Sequence, residues 1–320
     1  MGGPCELQVY AAAPGLAQRA MALGETEVRR LEAAYSRYRD DSVTRRINRS
    51  AGDPAGITVD GETAGLLDFG ATAWEQSGGL FDLTSGALRR AWDFKAQRVP
   101  ASAQIEAALA HVGWQRLRWQ RPRLFLAAGM ELDFGGIVKE YAADRACRVL
   151  REAGGAHGLA DLAGDIAILG PHPDGAPWQV GIRHPRDPEN AIALIELAAG
   201  AIASSGDYER YFEAGGRRYC HILNARTGWP CEGLAGVSVV ADECLLAGAA
   251  STVAMLKGPQ QGAAWLEALG LPYLCVDTGG ELTGSLAGVN QAVRFDGRRA
   301  AGARVPNNPA SKRSPSSSTK

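Results

Sequence analysis

No apolar run in this 320-residue chain approaches the ~20 residues that a membrane-crossing helix needs, so stable membrane insertion is not expected. An excess of one charge sign is missing too. With 34 basic and 35 acidic residues, nothing global draws the chain to a nucleic acid or an anionic membrane. The six cysteines (Cys5, Cys147, Cys220, Cys231, Cys244, Cys275) form no CxxC pair and no ladder of short spacings. That argues against a disulfide framework and reads as free thiols in a reducing compartment. Cys220-His221 with Cys231 lacks the second pair that would complete a zinc tetrahedron. The opening Met1-Gly2-Gly3-Pro4-Cys5 has neither the basic head nor the apolar stretch of a secretory signal. Glu6 stands where a myristoylation motif wants Ser or Thr. A cytoplasmic location is therefore expected, with an export signal already removed as the open alternative. The chain also has no GxSxG elbow, no P-loop and no GxGxxG after its first strand, and those three readings fail.

Glycine, by contrast, is abundant. Forty glycines cluster in short motifs rather than in a repeat, which implies tight turns and close backbone approaches. Hydrophobic residues at 46% and charged residues at 22% are ordinary for a globular enzyme. A chain of this length buries a large core, as one elaborate domain or two closely joined lobes. Period-two alternation predicts a strand over 6–10, and helical spacing predicts helices over 17–38, 63–76 and 137–153. Residues 117–126 read as paired strands around Arg121-Pro122. Residues 165–170 and 178–182 read as a hairpin, and 192–203, 218–223 and 237–241 as further strands. The small-residue helix predicted over 244–256 implies a very close neighbour. Long helices between antiparallel strand pairs predict an α+β architecture with largely antiparallel sheets. The Ser- and Lys-rich tail from Ala301 has little to bury and is expected to be disordered.

Several segments carry chemistry. Gly78-Gly79-Leu80-Phe81-Asp82 is either a helix stop before a buried Phe or a loop that presents a ring and a carboxylate to a ligand. In Leu132-Asp133-Phe134-Gly135-Gly136-Ile137-Val138-Lys139, a strand ends in Asp, two glycines turn the chain, and a helix starts with Lys139 in its first turn. Bare amides at a helix N-terminus seat phosphate. A lysine there, where the dipole favours an acid, points to an anionic ligand or to simple solvation. Asp161-Leu162-Ala163-Gly164-Asp165 repeats the scheme and reads equally as a plain turn. The richest stretch is Ser205-Gly206-Asp207-Tyr208-Glu209-Arg210, followed by His221-Ile222 and Arg226-Thr227-Gly228. A His, two Arg and an Asp beside glycines and apolar residues suggest a cleft for an anionic, aromatic ligand, with His221 in anion binding or proton transfer.

Taken in order, Met1-Gly2, Ser36-Arg37-Tyr38-Arg39-Asp40-Asp41-Ser42, Gly79-Leu80-Phe81-Asp82, the 133–139 segment and Ser205-Gly206-Asp207-Tyr208 with His221-Ile222 resemble the ApbE-type FAD:protein FMN transferase family, from Met1 to about Arg299. The resemblance implies a domain over 1–300, two lobes around a flavin-binding cleft, and a 301–320 tail. It implies a transferase that moves FMN from FAD onto a Thr or Ser hydroxyl of an acceptor flavoprotein and releases AMP. Met1, Tyr38, Leu80, Phe81, Asp82, Asp133, Lys139 and Ile222 would contact FAD. His221, which opens the family's His-Ile-x-Asp-Pro-x-Thr-Gly motif, would be the base, worth roughly 10²- to 10⁴-fold. Mg²⁺ would use the Gly136 carbonyl and Thr252.

The chain departs from the family pattern at three places. Ala247-Gly248-Ala249-Ala250-Ser251-Thr252 puts glycine where the family has a metal-binding Asp, so a substitute acid or FAD's own phosphates would have to serve. Asn224-Ala225 replaces Asp-Pro, and Ala163 replaces Gly. The alternatives are an FAD-binding protein that has lost transferase activity (a carrier, sensor or assembly factor) and a metal-dependent FAD pyrophosphatase.

Overall fold

The computed structural model describes residues 3–287 and the short strand at 294–295. Met1, the boundary at 300 and the 301–320 tail lie outside the described residues. In chain order the elements are β1 (Cys5–Ala11), α1 (Pro14–Tyr35), α2 (Val43–Arg49), β2 (Ile57–Thr58), α3 (Gly61–Gln76), α4 (Ser102–Leu109), β3 (Arg118–Gln120), β4 (Arg123–Phe125) and α5 (Val138–Glu152). There follow β5 (Gly155–Leu162), β6 (Asp165–Gly170), β7 (Trp178–His184), β8 (Asp187–Leu197), β9 (Ala201–Gly206), β10 (Tyr211–Ala214), β11 (Arg217–Cys220) and β12 (Leu234–Ala241). The described chain closes with α6 (Cys244–Lys257), α7 (Pro259–Leu269), β13 (Tyr273–Asp277), β14 (Leu282–Thr283) and β15 (Arg294–Phe295).

A seven-stranded sheet in the order β1-β5-β6-β9-β12-β13-β14 organises the molecule, and all its neighbours are antiparallel. Successive side chains on a strand point to opposite faces, and here both faces are covered. Ala160, Ala167, Ala203 and Val239 join the core shared with α1, α5 and α6. Leu159, Ile168, Ile202 and Val240 join a second core with Trp178, Val180 and Ile195 of β7 and β8. The result is three layers: helices, large sheet, small sheet. Burial on both faces explains why every residue of β12 is inaccessible.

The α+β class and the antiparallel pairing agree with the sequence reading. The predicted 165–170/178–182 hairpin is corrected. β6 pairs with β5 and β9, whereas β7 pairs with β8 in a separate three-stranded sheet. Adjacent alternating strands looked like partners because both present one apolar face; those faces meet across the layers instead. The single strand predicted over 192–203 is likewise two, split at the turn before Ala201. The first helix stops at Tyr35, because Ser36 takes an extended conformation and its Oγ accepts the Tyr38 N–H. All six cysteines are free. No helix among the described residues is long and apolar enough to cross a membrane.

Candidate active site

Three loops meet beside the start of α5. The first follows α3. Its Phe81 is buried, held by its N–H to Ser77 Oγ (3.0 Å). A Cβ on Gly136 would lie 3.7 Å from the Phe81 ring, so this aromatic side chain and the double-glycine turn face each other. Leu80 is half-buried next to it. Asp82 is committed to the protein: it accepts from Thr84 N and Oγ1 (2.8 and 2.7 Å) and from Trp114 N (2.8 Å). Burial pushes its carboxyl up, against these hydrogen bonds. Its observed work is to shape the loop that carries Phe81.

The second loop precedes α5. Asp133 takes Gly135 N at 2.9 Å, Arg37 Nη1 at 2.9 Å and Arg89 Nε at 3.0 Å. Burial would raise this carboxyl, but Arg89, Arg37 and the Gly135 N–H outweigh it and hold it below the usual carboxylate range. Arg37 brings the Ser36-Arg37-Tyr38 turn to the same place. Tyr38 itself is 79% exposed, with the Arg37 guanidinium carbon 5.8 Å from its ring centre. Lys139, in the first turn of α5 as expected, sets Nζ 2.6 Å from Asp165 Oδ2. Burial opposes its charge, yet Glu140 and Asp165 raise its pKa. An ammonium has three N–H donors, so one contact leaves capacity for a ligand.

The third loop contains His221 and Ile222. His221 donates its backbone N–H to Arg210 O (3.0 Å), while its buried Nδ1 has no partner. Burial lowers its pKa to about 4, helped by the positive charges of Arg210, Arg89 and Lys139. The imidazole therefore belongs to the same electrostatic cluster as the first two loops. Ile222 is buried in the main core. Arg226, which the sequence sets close to His221, donates to the Gly78 carbonyl and ties this loop to the first. Asp207, also prominent in the sequence, is clamped by Arg186 through two bonds of 2.6 and 2.7 Å.

Behind the loops, Thr252 Oγ1 and Ser251 Oγ lie 2.9 and 2.8 Å from Ser205 Oγ. Glu140 follows Lys139 and turns inward. Burial, then the negative charge of Asp165, raises its carboxyl well above the usual carboxylate range. Its Oε2 meets no N–H or hydroxyl donor, and its carboxyl faces that of Asp165. Sequence reasoning missed Arg89, Asp165 as the lysine's partner, and Glu140. Arg89 sits in a short 3₁₀ turn (Gly86–Arg90) without periodicity. Glu140 looked like an ordinary first-turn acid on a helix.

Comparison with known proteins is consistent with this arrangement. The ApbE family profile matches residues 1–275. The FAD:protein FMN transferase of Salmonella typhimurium is 31% identical over 257 residues, 77% of this chain and 73% of that protein. The Escherichia coli K12 protein of the same name is 30% identical, over 78% and 76% of the two chains. Among solved structures, the ApbE protein of Thermotoga maritima superposes with a TM-score of 0.80 at 30% identity, covering 87% of this chain and 93% of its own. The apo flavinyl transferase ApbE of Pseudomonas stutzeri gives 0.74 at 30% identity with the same coverage.

Proposed function

The chain belongs to the ApbE family, and from that premise we propose that it is an FAD:protein FMN transferase, moving the FMN half of FAD to a Thr or Ser hydroxyl of an acceptor flavoprotein and releasing AMP. The supporting observation is the junction of three loops, with Phe81 on Gly136, Asp133 under Arg37 and Arg89, and Lys139 on Asp165. In this reading residues 1–300 act as one flavin-transferase domain, followed by the 301–320 tail. Six free thiols support a reducing, cytoplasmic location.

FAD is the substrate. Tyr38 and Phe81 offer rings for stacking, and Leu80 and Ile222 supply apolar wall. Asp82 and Asp133 position the two loops. Lys139 uses its remaining donors on the pyrophosphate. The acceptor oxygen attacks the FMN phosphorus, the pyrophosphate P–O bond to AMP breaks, and the hydroxyl proton passes to His221. With a pKa near 4, that imidazole is neutral at pH 7 and open to a proton. The anionic substrate, placed among the cations that now depress it, strengthens it as a base. Mg²⁺, whose preference for hard oxygen donors the orphaned oxygen of Glu140 supports, would neutralise pyrophosphate charge and stabilise departing AMP. Gly136 O and Thr252 Oγ1 would hold it.

The test is incubation with FAD and an acceptor domain bearing a target Thr, with Mg²⁺ or EDTA. A Mg²⁺-dependent fluorescent acceptor band in a denaturing gel is expected. If protein that holds FAD gives no band, the transferase reading fails and flavin binding alone remains.

A further inference from the structure

We propose that Glu140 supplies the carboxylate of a divalent-cation site formed with the Thr252 hydroxyl, in place of the acid that position 248 lacks. This deepens the transferase reading and rests on it.

The first observation is steric. A Cβ built on Gly248 would lie 2.4 Å from Glu140 Cγ, 2.9 Å from Cδ and 3.0 Å from Oε1. Those contacts are too short for any side chain at 248 to coexist with Glu140 as it stands. An aspartate there would place its carboxyl one bond beyond that Cβ, in the volume that Glu140 fills. The two acids are alternatives for one space, entered from different helices.

The second observation concerns what Glu140 does there. It is 8% exposed, and its Oε2 finds no donor. A buried carboxylate oxygen without a partner is costly. The neighbouring acid, Asp165, is more buried still and already engages Lys139 Nζ at 2.6 Å. Glu140 thus sets its carboxyl against that of Asp165, with one ammonium beside the pair. Thr252 lies one helical turn beyond Gly248, with Oγ1 2.9 Å from Ser205 Oγ. A carboxylate beside hydroxyl and carbonyl oxygens is the hard donor set that Mg²⁺ and Mn²⁺ take.

The register that brings them together is fixed. Asp144, one turn after Glu140, accepts the N–H groups of Cys244 and Leu245 at 2.8 and 2.9 Å. Gly248 is one turn after Cys244, so that cap sets the height at which the two helices meet. Among the described residues no three His, Cys, Asp or Glu side chains form a metal cluster. Glu140 would then be the acid in a donor set otherwise made of neutral hydroxyl and carbonyl oxygens.

The test uses the full chain and Mn²⁺ alone, with bound and free ion separated by electron paramagnetic resonance, before and after saturation with FAD. The natural chain should bind one Mn²⁺. Glu140→Gln, equal in volume, should weaken it by about 10- to 100-fold or more while flavin fluorescence still reports FAD binding. The double change Glu140→Gly with Gly248→Asp moves the acid back across the interface. It should recover Mn²⁺ affinity that Glu140→Gly alone lacks, which keeps the idea testable if the Gln variant fails to fold. A natural chain that takes up no Mn²⁺, a Gln variant that binds it as tightly, or a double variant no better than Glu140→Gly would each overturn the proposal. Mn²⁺ binding as described without labelling of any acceptor would leave the cation site standing and remove the transferase reading.

Discussion

Ala163 holds φ at +59°, a conformation that costs an L-residue roughly 1–2 kcal/mol. It sits in the turn between β5 and β6, where the family pattern has glycine. Glycine would remove the strain but adds about 0.5–1 kcal/mol of unfolded-chain entropy. Strain is the larger of the two, so Ala163→Gly should stabilise the protein by about 0.5 kcal/mol, measured by denaturant unfolding. His221 supports a prediction in pH. Its folded pKa, near 4, lies below the ordinary value of 6.5. As pH falls from 6.5 toward 4, the unfolded chain binds this proton first, and stability drops. Below the folded value both states are protonated and the slope ends. His221→Gln should therefore flatten the fall in melting temperature between pH 6.5 and 4. The same variant should lose about 10²-fold or more in flavin transfer, with FAD binding retained. A variant whose transfer rate matches the natural chain would remove His221 as the base.

At the level of elements, the helices that build the site are joined through their ends. The Asp144 carboxylate on α5 satisfies two of the orphan N–H groups at the start of α6, where Glu243 at the cap position makes no side-chain cap bond. Caps of this kind are worth about 1–2 kcal/mol. Asp144→Ala should lose that much in urea unfolding, and Asp144→Asn less, because an amide oxygen still accepts one bond. Asp133→Asn has a different signature. It leaves Arg37 and Arg89 facing a neutral amide, which should cost on the order of 2–3 kcal/mol, below a fully buried pair because both guanidiniums reach solvent. FAD affinity should fall with it, read by flavin fluorescence. Much of this level was legible in the sequence. The start of α5 after Gly135-Gly136, with Lys139 in its first turn, follows from strand, glycine and helix chemistry. The small-residue content of α6 correctly implied a close neighbour. That neighbour, Glu140, was not legible, since residues 140 and 248 meet only once α5 and α6 are docked. The direction of Asp82 was hidden for the same reason, because its partner Trp114 N lies thirty-two residues away.

For the whole molecule, the three layers separate stability from chemistry. α5, α6 and the end of β9 carry the site on the helical side of the large sheet, while β7 and β8 close its other face. Period-two patterning showed these strands as strands but did not show which sheet each joins. An apolar face looks the same whether it meets a helix or another sheet, and that is why the hairpin reading of β6 and β7 failed. The layered arrangement makes a definite contrast within β8. Ile195 is 1% exposed in the core between the sheets, and its neighbour Leu194 is 46% exposed on the outer face. Ile195→Ala leaves a cavity and should cost about 2–4 kcal/mol; Leu194→Ala should stay within about 0.5 kcal/mol. Below its unfolding transition the Ile195 variant should bind FAD and transfer flavin as the natural chain does, because the sheet stands between the cavity and the loops. Denaturant unfolding and acceptor labelling on the same preparations decide it. Parallel losses of stability and of transfer rate at a temperature where the variant is folded would mean that the small sheet also shapes the site. Arg186 gives that outcome a physical route, since it reaches from the β7–β8 turn to clamp Asp207 just after β9.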